Sequence, residues 1–246
     1  MIELLVAASA FFCMLGAAFV GFTIQSQYWA LKTHPETREI VGLIGNMFVV
    51  VTSLVLGLML NSAKTTFETN NNNVRALASQ IILLDRTMRS LEPEASEARG
   101  HLLAYIVVSL KEVNIVEEDP EAAASLEAAG ASLRAIHVSD DQKLAIWNDA
   151  RQLYRQVVQQ RWVVVNTSGG TIPAPMIVLL ILWLSAAFAG IGYRAPDNTL
   201  MRVSFLVAAL LIAGGLYVIC DMDTPSSGLF RASNLPFQRA LAHLQG

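Results

Sequence analysis

Four long stretches of this sequence are almost free of charged residues, and they constrain its fold more than any other feature. The stretches are Leu4–Ile24, Ile40–Leu60, Pro173–Gly192 and Met201–Cys220, and Arg202 is the only charged residue in them. About 20 apolar residues in a helix are enough to cross the hydrocarbon core of a bilayer. The sequence therefore predicts four transmembrane helices, two on either side of a central polar segment.

Composition supports this reading and excludes one class of partner. Only 15% of the 246 residues are charged, against about 25% in a typical soluble domain. The net charge of −3 does not suit a nucleic-acid-binding surface, so no nucleic-acid partner is predicted. The first stretch is preceded only by the charge of Glu3 and lacks the basic start of a signal peptide, which favours a retained span.

The number of spans fixes which segments share a side of the membrane. Both termini and the middle segment lie on one side, and the two short loops, with Tyr28, Trp29 and Tyr193, lie on the other. Lys and Arg near span ends are more numerous on the first side, which predicts cytoplasmic termini, a cytoplasmic middle segment and a multi-pass location in the inner membrane. The residues counted are Lys64, Arg75, Arg151, Arg155, Arg161, Arg231 and Arg239 against Lys32, Arg38, Arg194 and Arg202.

The middle segment has helical periodicity and no alternation of period two, so no sheet is expected. An apolar stripe runs from Val74 to Leu91 with spacings of three and four, and Pro93 marks its end. It packs within one chain or between subunits, with packing within the chain as the default. Helices then follow around Leu102–Val113 and up to Ile136, and a capping box at Ser139 and Gln142 begins the last one.

The expected fold class is therefore all-α, an integral membrane helical bundle with four transmembrane helices and a helical cytosolic middle segment. We divide the chain into residues 1–61 with the first two spans, 62–171 as the soluble segment, 172–220 with the last two spans, and 221–246 as a tail with a short amphipathic helix.

Residue patterns for catalysis, cofactors or metals are absent from the sequence. It contains no Gly-rich phosphate loop, no nucleophile elbow and no His, Cys and Asp cluster at ligand spacing. Cys13 and Cys220 fall at different depths in their spans and are read as two buried thiols. We therefore expect a protein that is not an enzyme and has no catalytic residue, cofactor or resident metal.

The second span has a polar stripe, and this stripe is the candidate functional site. On a helical wheel its small and polar residues fall within about a third of the circle, which suits the lining of an aqueous path. Apolar residues on or beside that face would form constrictions that gate by dewetting. The alternative is that the polar residues hold neighbouring helices together, and the residues alone slightly favour it. The candidate pore-lining residues are Asn46, Val49, Val50, Ser53, Gly57, Leu60, Asn61, Lys64 and Glu68.

Two further polar groups have competing interpretations. Asp221 and Asp223 close the fourth span, where they are either a weak cation site or part of an interfacial turn, and the turn is favoured. The four asparagines 70–73 are either a polar vestibule ring or a solvated helix face, and the solvated face is favoured.

Two sequence runs resemble a known family. The run Leu54–Lys64 in the second span and the run Asp223–Ser233 after the fourth are similar to segments of the bestrophin-like four-span family of bacteria and plants. Pro236-Phe237 and Ala240-Leu241 in the tail fit the same pattern. The layout of two spans, about a hundred helical residues, a short linker and two spans is also similar.

This resemblance implies a function. Bestrophins are pentameric anion channels whose second span lines the pore, with an acidic Ca²⁺ clasp after the fourth. The resemblance thus implies a homo-oligomer, a pentamer by analogy, that lies among membrane lipids and conducts small inorganic ions, anions in particular. The alternative is a non-conducting membrane scaffold or sensor that binds a partner through its cytosolic helices.

Overall fold

All regular structure in the described part of the chain is helical. The computed structural model describes residues 2–28, 35–111, 119–138, 140–167, 170, 172–196, 198–224 and 233–245, and the all-α prediction is confirmed there. Trp29, from the predicted aromatic belt, lies outside these ranges. The helices are α1 (Ile2–Tyr28), α2 (Pro35–Arg89), α3 (Ser96–Lys111), α4 (Pro120–Ala135), α5 (Asp141–Asn166), α6 (Ala174–Arg194), α7 (Thr199–Asp223) and α8 (Leu235–Gln245).

Four of these helices are long and apolar enough to cross a membrane, as the sequence predicts. They comprise Glu3–Ile24, Gly42–Arg89, Ala174–Arg194 and Thr199–Asp223. The second runs without interruption from the span into the middle segment, since its parent helix α2 has 55 residues. At 1.5 Å per residue this helix is about 80 Å long, well beyond the roughly 30 Å thickness of a hydrocarbon core.

The chain forms two compact units. The membrane unit comprises Met1–Thr66 and Gly170–Asp223, and the second unit comprises Phe67–Gly169 and Thr224–Gly246. In the membrane unit, α1 packs on α6 and α7. Gly21 and Gly192 allow this approach, because a Cβ on Gly21 would collide with the carbonyl of Ala189 and one on Gly192 with that of Ala18.

The core of the second unit is built on the last part of α2. The apolar stripe predicted from Val74 to Leu91 is buried against side chains of α3, α4, α5 and α8, so its packing within the chain is confirmed. The tail helix α8 belongs to the same core, where Phe237, Ala240 and Leu244 are buried.

Two local expectations are corrected. The N-cap of α5 is Asp140, whose carboxylate accepts from the Gln142 N–H at 3.3 Å, so the capping box at Ser139 and Gln142 is wrong. Asp140 already supplies the acceptor that the first free N–H groups need, and Ser139 itself lies outside the described residues. Both cysteines are free, but only Cys220 is buried, and Cys13 is exposed.

A buried carboxylate ties three helices of the second unit together. The Asp85 side chain, 3% exposed, accepts from Arg89 Nε at 2.9 Å and from Arg99 Nε at 2.8 Å. Arg89 also donates to the His243 carbonyl at 2.7 Å, which connects α2 to the last turn of α8. Burial alone would lower the pKa of Arg99, but the hydrogen bond and charge of Asp85, helped by Glu92, raise it overall.

We predict that Asp85→Ala destabilises the protein, because Arg89 loses its carboxylate partner and Arg99 keeps only Glu92. The expected loss is about 1.5–3 kcal/mol, measured as a lower melting temperature of the detergent-solubilised protein. The matched control is Glu94→Ala, which removes an exposed pair with Lys143 at 2.8 Å and should cost about 1 kcal/mol or less. Equal shifts in the two variants would contradict the role of Asp85.

Candidate functional site

The spanning part of α2 has one packed face and one open face. Thr52, Met59 and Ala63 are buried in the membrane unit, with Val55 and Leu56 packed beside them. Ser53, which lies about 100° from Thr52 around the helix, is exposed. The open face is therefore a different side of α2, and at its edge Val49 and Ser53 line a cavity of about 420 Å³ together with residues of α6 and α7.

All nine candidate pore-lining residues lie on the open side of α2. The apolar members Val49, Val50 and Leu60 are 50%, 68% and 46% exposed. Gly57 has no atom within 4 Å of the position a Cβ would take. The remaining members, also exposed, are Asn46, Ser53, Asn61, Lys64 and Glu68.

The polar side chains of this face are incompletely satisfied within the chain. Ser53 donates to its own helix, at the Val49 carbonyl 2.9 Å away. Across the described residues, no hydrogen bond is formed by the side-chain amides of Asn46 and Asn61. An amide without a partner in hydrocarbon costs several kcal/mol. These side chains therefore need water or another protein surface.

A hydrogen bond between helices fixes the rotation of α2. Trp183 of α6 donates its Nε1–H to Thr52 Oγ1 at 2.9 Å, and Thr52 in turn donates to the Phe48 carbonyl at 2.7 Å. The Trp183 ring stacks on Phe48 with centroids 4.4 Å apart. Trp183 is not among the residues predicted from the sequence. The available signal was a tryptophan in the middle of a span, away from the interfaces where tryptophan is usual.

The asparagine run 70–73 is structural, and the interpretation as a solvated face is wrong for most of it. Asn70 is buried, and Asn71 Oδ1 accepts from the Ser233 N–H at 3.2 Å. Asn73 Nδ2 lies 3.4 Å from Thr167 Oγ1, to which it donates. Only Asn72 is exposed. Asn71 and Asn73 thus pair with the tail and with α5, partners that the local sequence does not reveal, whereas Asn70 Nδ2 is buried with no hydrogen-bond partner among the described residues.

Asp221 and Asp223 are both buried in the last turn of α7. Asp223 Oδ2 accepts from the Ile172 N–H at 3.0 Å, which fastens the end of α7 to the segment before α6. Carboxylates at a helix C-terminus oppose its dipole, so such hydrogen bonds offset an unfavourable position. Among the described residues no group of three or more His, Cys, Asp or Glu is placed to hold a metal. The weak cation site stays a prediction.

Comparisons with known proteins agree on one family. The sequence matches the family model described as the Bestrophin-like domain over residues 12–237. The fold is similar to crystal structures of a bacterial bestrophin homologue from Klebsiella pneumoniae. A point mutant of that homologue gives a TM-score of 0.65 at 12% identity with 97% of each chain covered. The structure phased by Zn-SAD gives 0.61 at 11% identity with 96% of each covered. No curated protein matches the sequence.

We predict that Trp183→Phe lowers the stability of the membrane unit by removing the hydrogen bond to Thr52 while keeping an aromatic ring. The expected loss is about 0.6 kcal/mol and at most about 1.7, the range for hydrogen bonds between membrane helices. Trp183→Ala also loses the stacking and should cost more, about 3–5 kcal/mol. The control in thermal unfolding is Trp162→Phe, at an exposed ring of the second unit. Equal melting temperatures for the two Phe variants would contradict this prediction.

Proposed function

This chain belongs to the Bestrophin-like family, and from that premise we propose that it forms a homo-oligomeric ion channel lined by α2. The supporting observation is the open polar face of a spanning helix. Asn46 cannot face lipid within the span without a large cost, Asn61 lies directly after the span, and copies of α2 around a common axis would let both face water. The observation concerns the site itself, whereas family membership alone implies only a related fold.

The low burial of α2 also supports this assembly. Only 11% of its most apolar window is buried within the chain, against 28% for α1 and 33% for α7. A helix with so few neighbours in its own chain has room for neighbours from other copies. By family resemblance we propose five copies, in the inner membrane, with the termini and the middle segment in the cytoplasm.

Apolar constrictions would gate the proposed pore. Val49, Val50 and Leu60 alternate along α2 with Asn46, Ser53 and Asn61, so rings of apolar and polar side chains would alternate along the axis. A narrow apolar ring excludes water and blocks ions until it widens.

Two charges on the open face would set the ion preference at the end of the pore near Lys64. A ring of Lys64 ammonium groups attracts anions, and Glu68, four residues further on, opposes it. The two rings are separated by about 6 Å along the helix. Lys64 lies nearer the membrane, where low-dielectric walls focus its field, so we propose anion conduction.

A non-conducting scaffold or sensor is the second candidate, and a groove in the second unit favours it. Between α4 and α5 lies a groove of about 1100 Å³. Its lining includes Arg134, Arg155 and Arg161 together with Tyr154 and Trp162. Exposed arginine and aromatic side chains are common in surfaces that bind other proteins.

We predict that two-dimensional class averages of the protein in detergent show a ring with a central hole on a symmetry axis. The physical reason is that several α2 helices must surround water for Asn46 and Asn61 to be hydrated. A monomer or a closed dimer would contradict the channel and favour the scaffold.

We predict that Lys64→Glu moves the reversal potential under a salt gradient toward cation selectivity, and that Glu68→Gln strengthens anion preference. Each change alters the charge of one ring at the pore mouth, and planar bilayers report the result. Lys143→Glu is the control, since this exposed lysine of α5 pairs with Glu94 and is not among the candidate pore-lining residues. A reversal potential that neither α2 substitution changes would contradict a pore lined by this face.

A further inference from the structure

An arginine of α6 lies directly over the glycines near the start of α2. Arg194 is the last residue of α6, and its guanidinium reaches across to the neighbouring helix. A Cβ on Gly45 would be 2.5 Å from Arg194 Nη2, and one on Gly42 would be 3.0 Å from Nη1. A side chain at Gly45 would therefore displace the guanidinium from the α2 backbone, and one at Gly42 would crowd it.

This guanidinium has no compensating carboxylate in the described part of the chain. Arg194 forms no ion pair there, and its Nε is buried without a hydrogen-bond partner. A cation in the last turn of α6 does complement the dipole of that helix. The dipole accounts for an arginine at the end of α6, but it does not account for a guanidinium placed over α2.

The two glycines place Arg194 beside the open face of α2. On a helical wheel Gly42 lies within about 20° of Ser53, the centre of that face, and Gly45 lies about 80° from Ser53. Gly45 and Lys64 are 19 residues apart, about 28 Å along α2. The spanning part of α2 therefore has one cation near each of its ends.

Arg194 places a positive charge beside the start of the spanning part of α2. In a ring of subunits, one such charge from each copy would attract anions and repel cations at this mouth. Removal of Arg194 would remove that ring of charge.

We propose that Arg194 is a selectivity-determining residue that sets the charge of the mouth at the Gly42 end of the pore. This inference rests on the proposed channel and adds a second control point to it, independent of Lys64. Gly42 and Gly45 leave room for the guanidinium beside α2, so that its charge acts at the mouth.

The first test compares Arg194→Gln, Arg194→Lys and wild type by reversal potential in planar bilayers. Arg194→Gln should lower the ratio of anion to cation permeability on the order of tenfold, and Arg194→Lys should stay near wild type. The control is Arg202→Gln, at the same end of the unit, where Arg202 lines a cleft formed by α1 and α7 residues. A ratio unchanged by Arg194→Gln while currents persist would overturn the inference.

A second variant separates charge placement from folding. Gly45→Ala keeps every charge but forces Nη2 away from α2, and it should lower the permeability ratio in the same direction with a smaller change. Gly190→Ala is the matched control, because nothing lies within 4 Å of a Cβ at that position of α6. An effect of Gly190→Ala as large as that of Gly45→Ala would overturn the placement argument.

Chemical restoration of the charge gives an independent readout. Arg194→Cys in a Cys13→Ser, Cys220→Ser background should lose the anion preference. A cationic methanethiosulfonate should restore it and an anionic one should lower it further. Equal effects of both reagents would overturn the inference. Wild-type protein that conducts and responds to Lys64→Glu but not to Arg194 variants refutes this inference alone, whereas the absence of any wild-type current refutes the channel as well.

Discussion

The rest of the structure depends on the cost of placing polar side chains of a spanning helix in hydrocarbon. Asn46 and Asn61 have no partner for their amides in the described residues, and each would cost several kcal/mol in lipid. The hydrogen bond between Trp183 and Thr52 holds the neighbouring side of α2 against α6. The packed side of the helix therefore decides where the open side points, and the open side requires water or further copies of the chain.

The same helix connects this constraint to the second unit. Met59 and Ala63 of α2 belong to the core of the membrane unit, and Val74 to Leu91 form the base of the other core. Because α2 is continuous from Pro35 to Arg89, residues of one helix contribute to the cores of both units. Asp85 and Arg89 then fasten the end of α2 to α8, so the tail of the chain belongs to the second unit.

Several features could be read directly from the sequence because their causes are local. The four spans follow from uninterrupted apolar length, and the buried stripe from Val74 to Leu91 follows from spacings of three and four. Pro93 likewise predicts the end of α2 from a local cause, because a proline by itself disrupts a helix. The asparagines 70–73 were misread because their partners, Ser233 and Thr167, are about 160 and 94 residues away.

The sequence by itself determined the helical class, the four spans and the polar stripe, because hydropathy and helical period act over a few turns. Only the tertiary structure decided how much of the stripe stays exposed within the chain, since that depends on which side of α2 packs on its own chain, and Asn46, Gly57 and Asn61 are exposed. It also placed Arg194 over Gly42 and Gly45. A contact between residues about 150 positions apart arises from the packing of two helices, and no pattern within either helix encodes it.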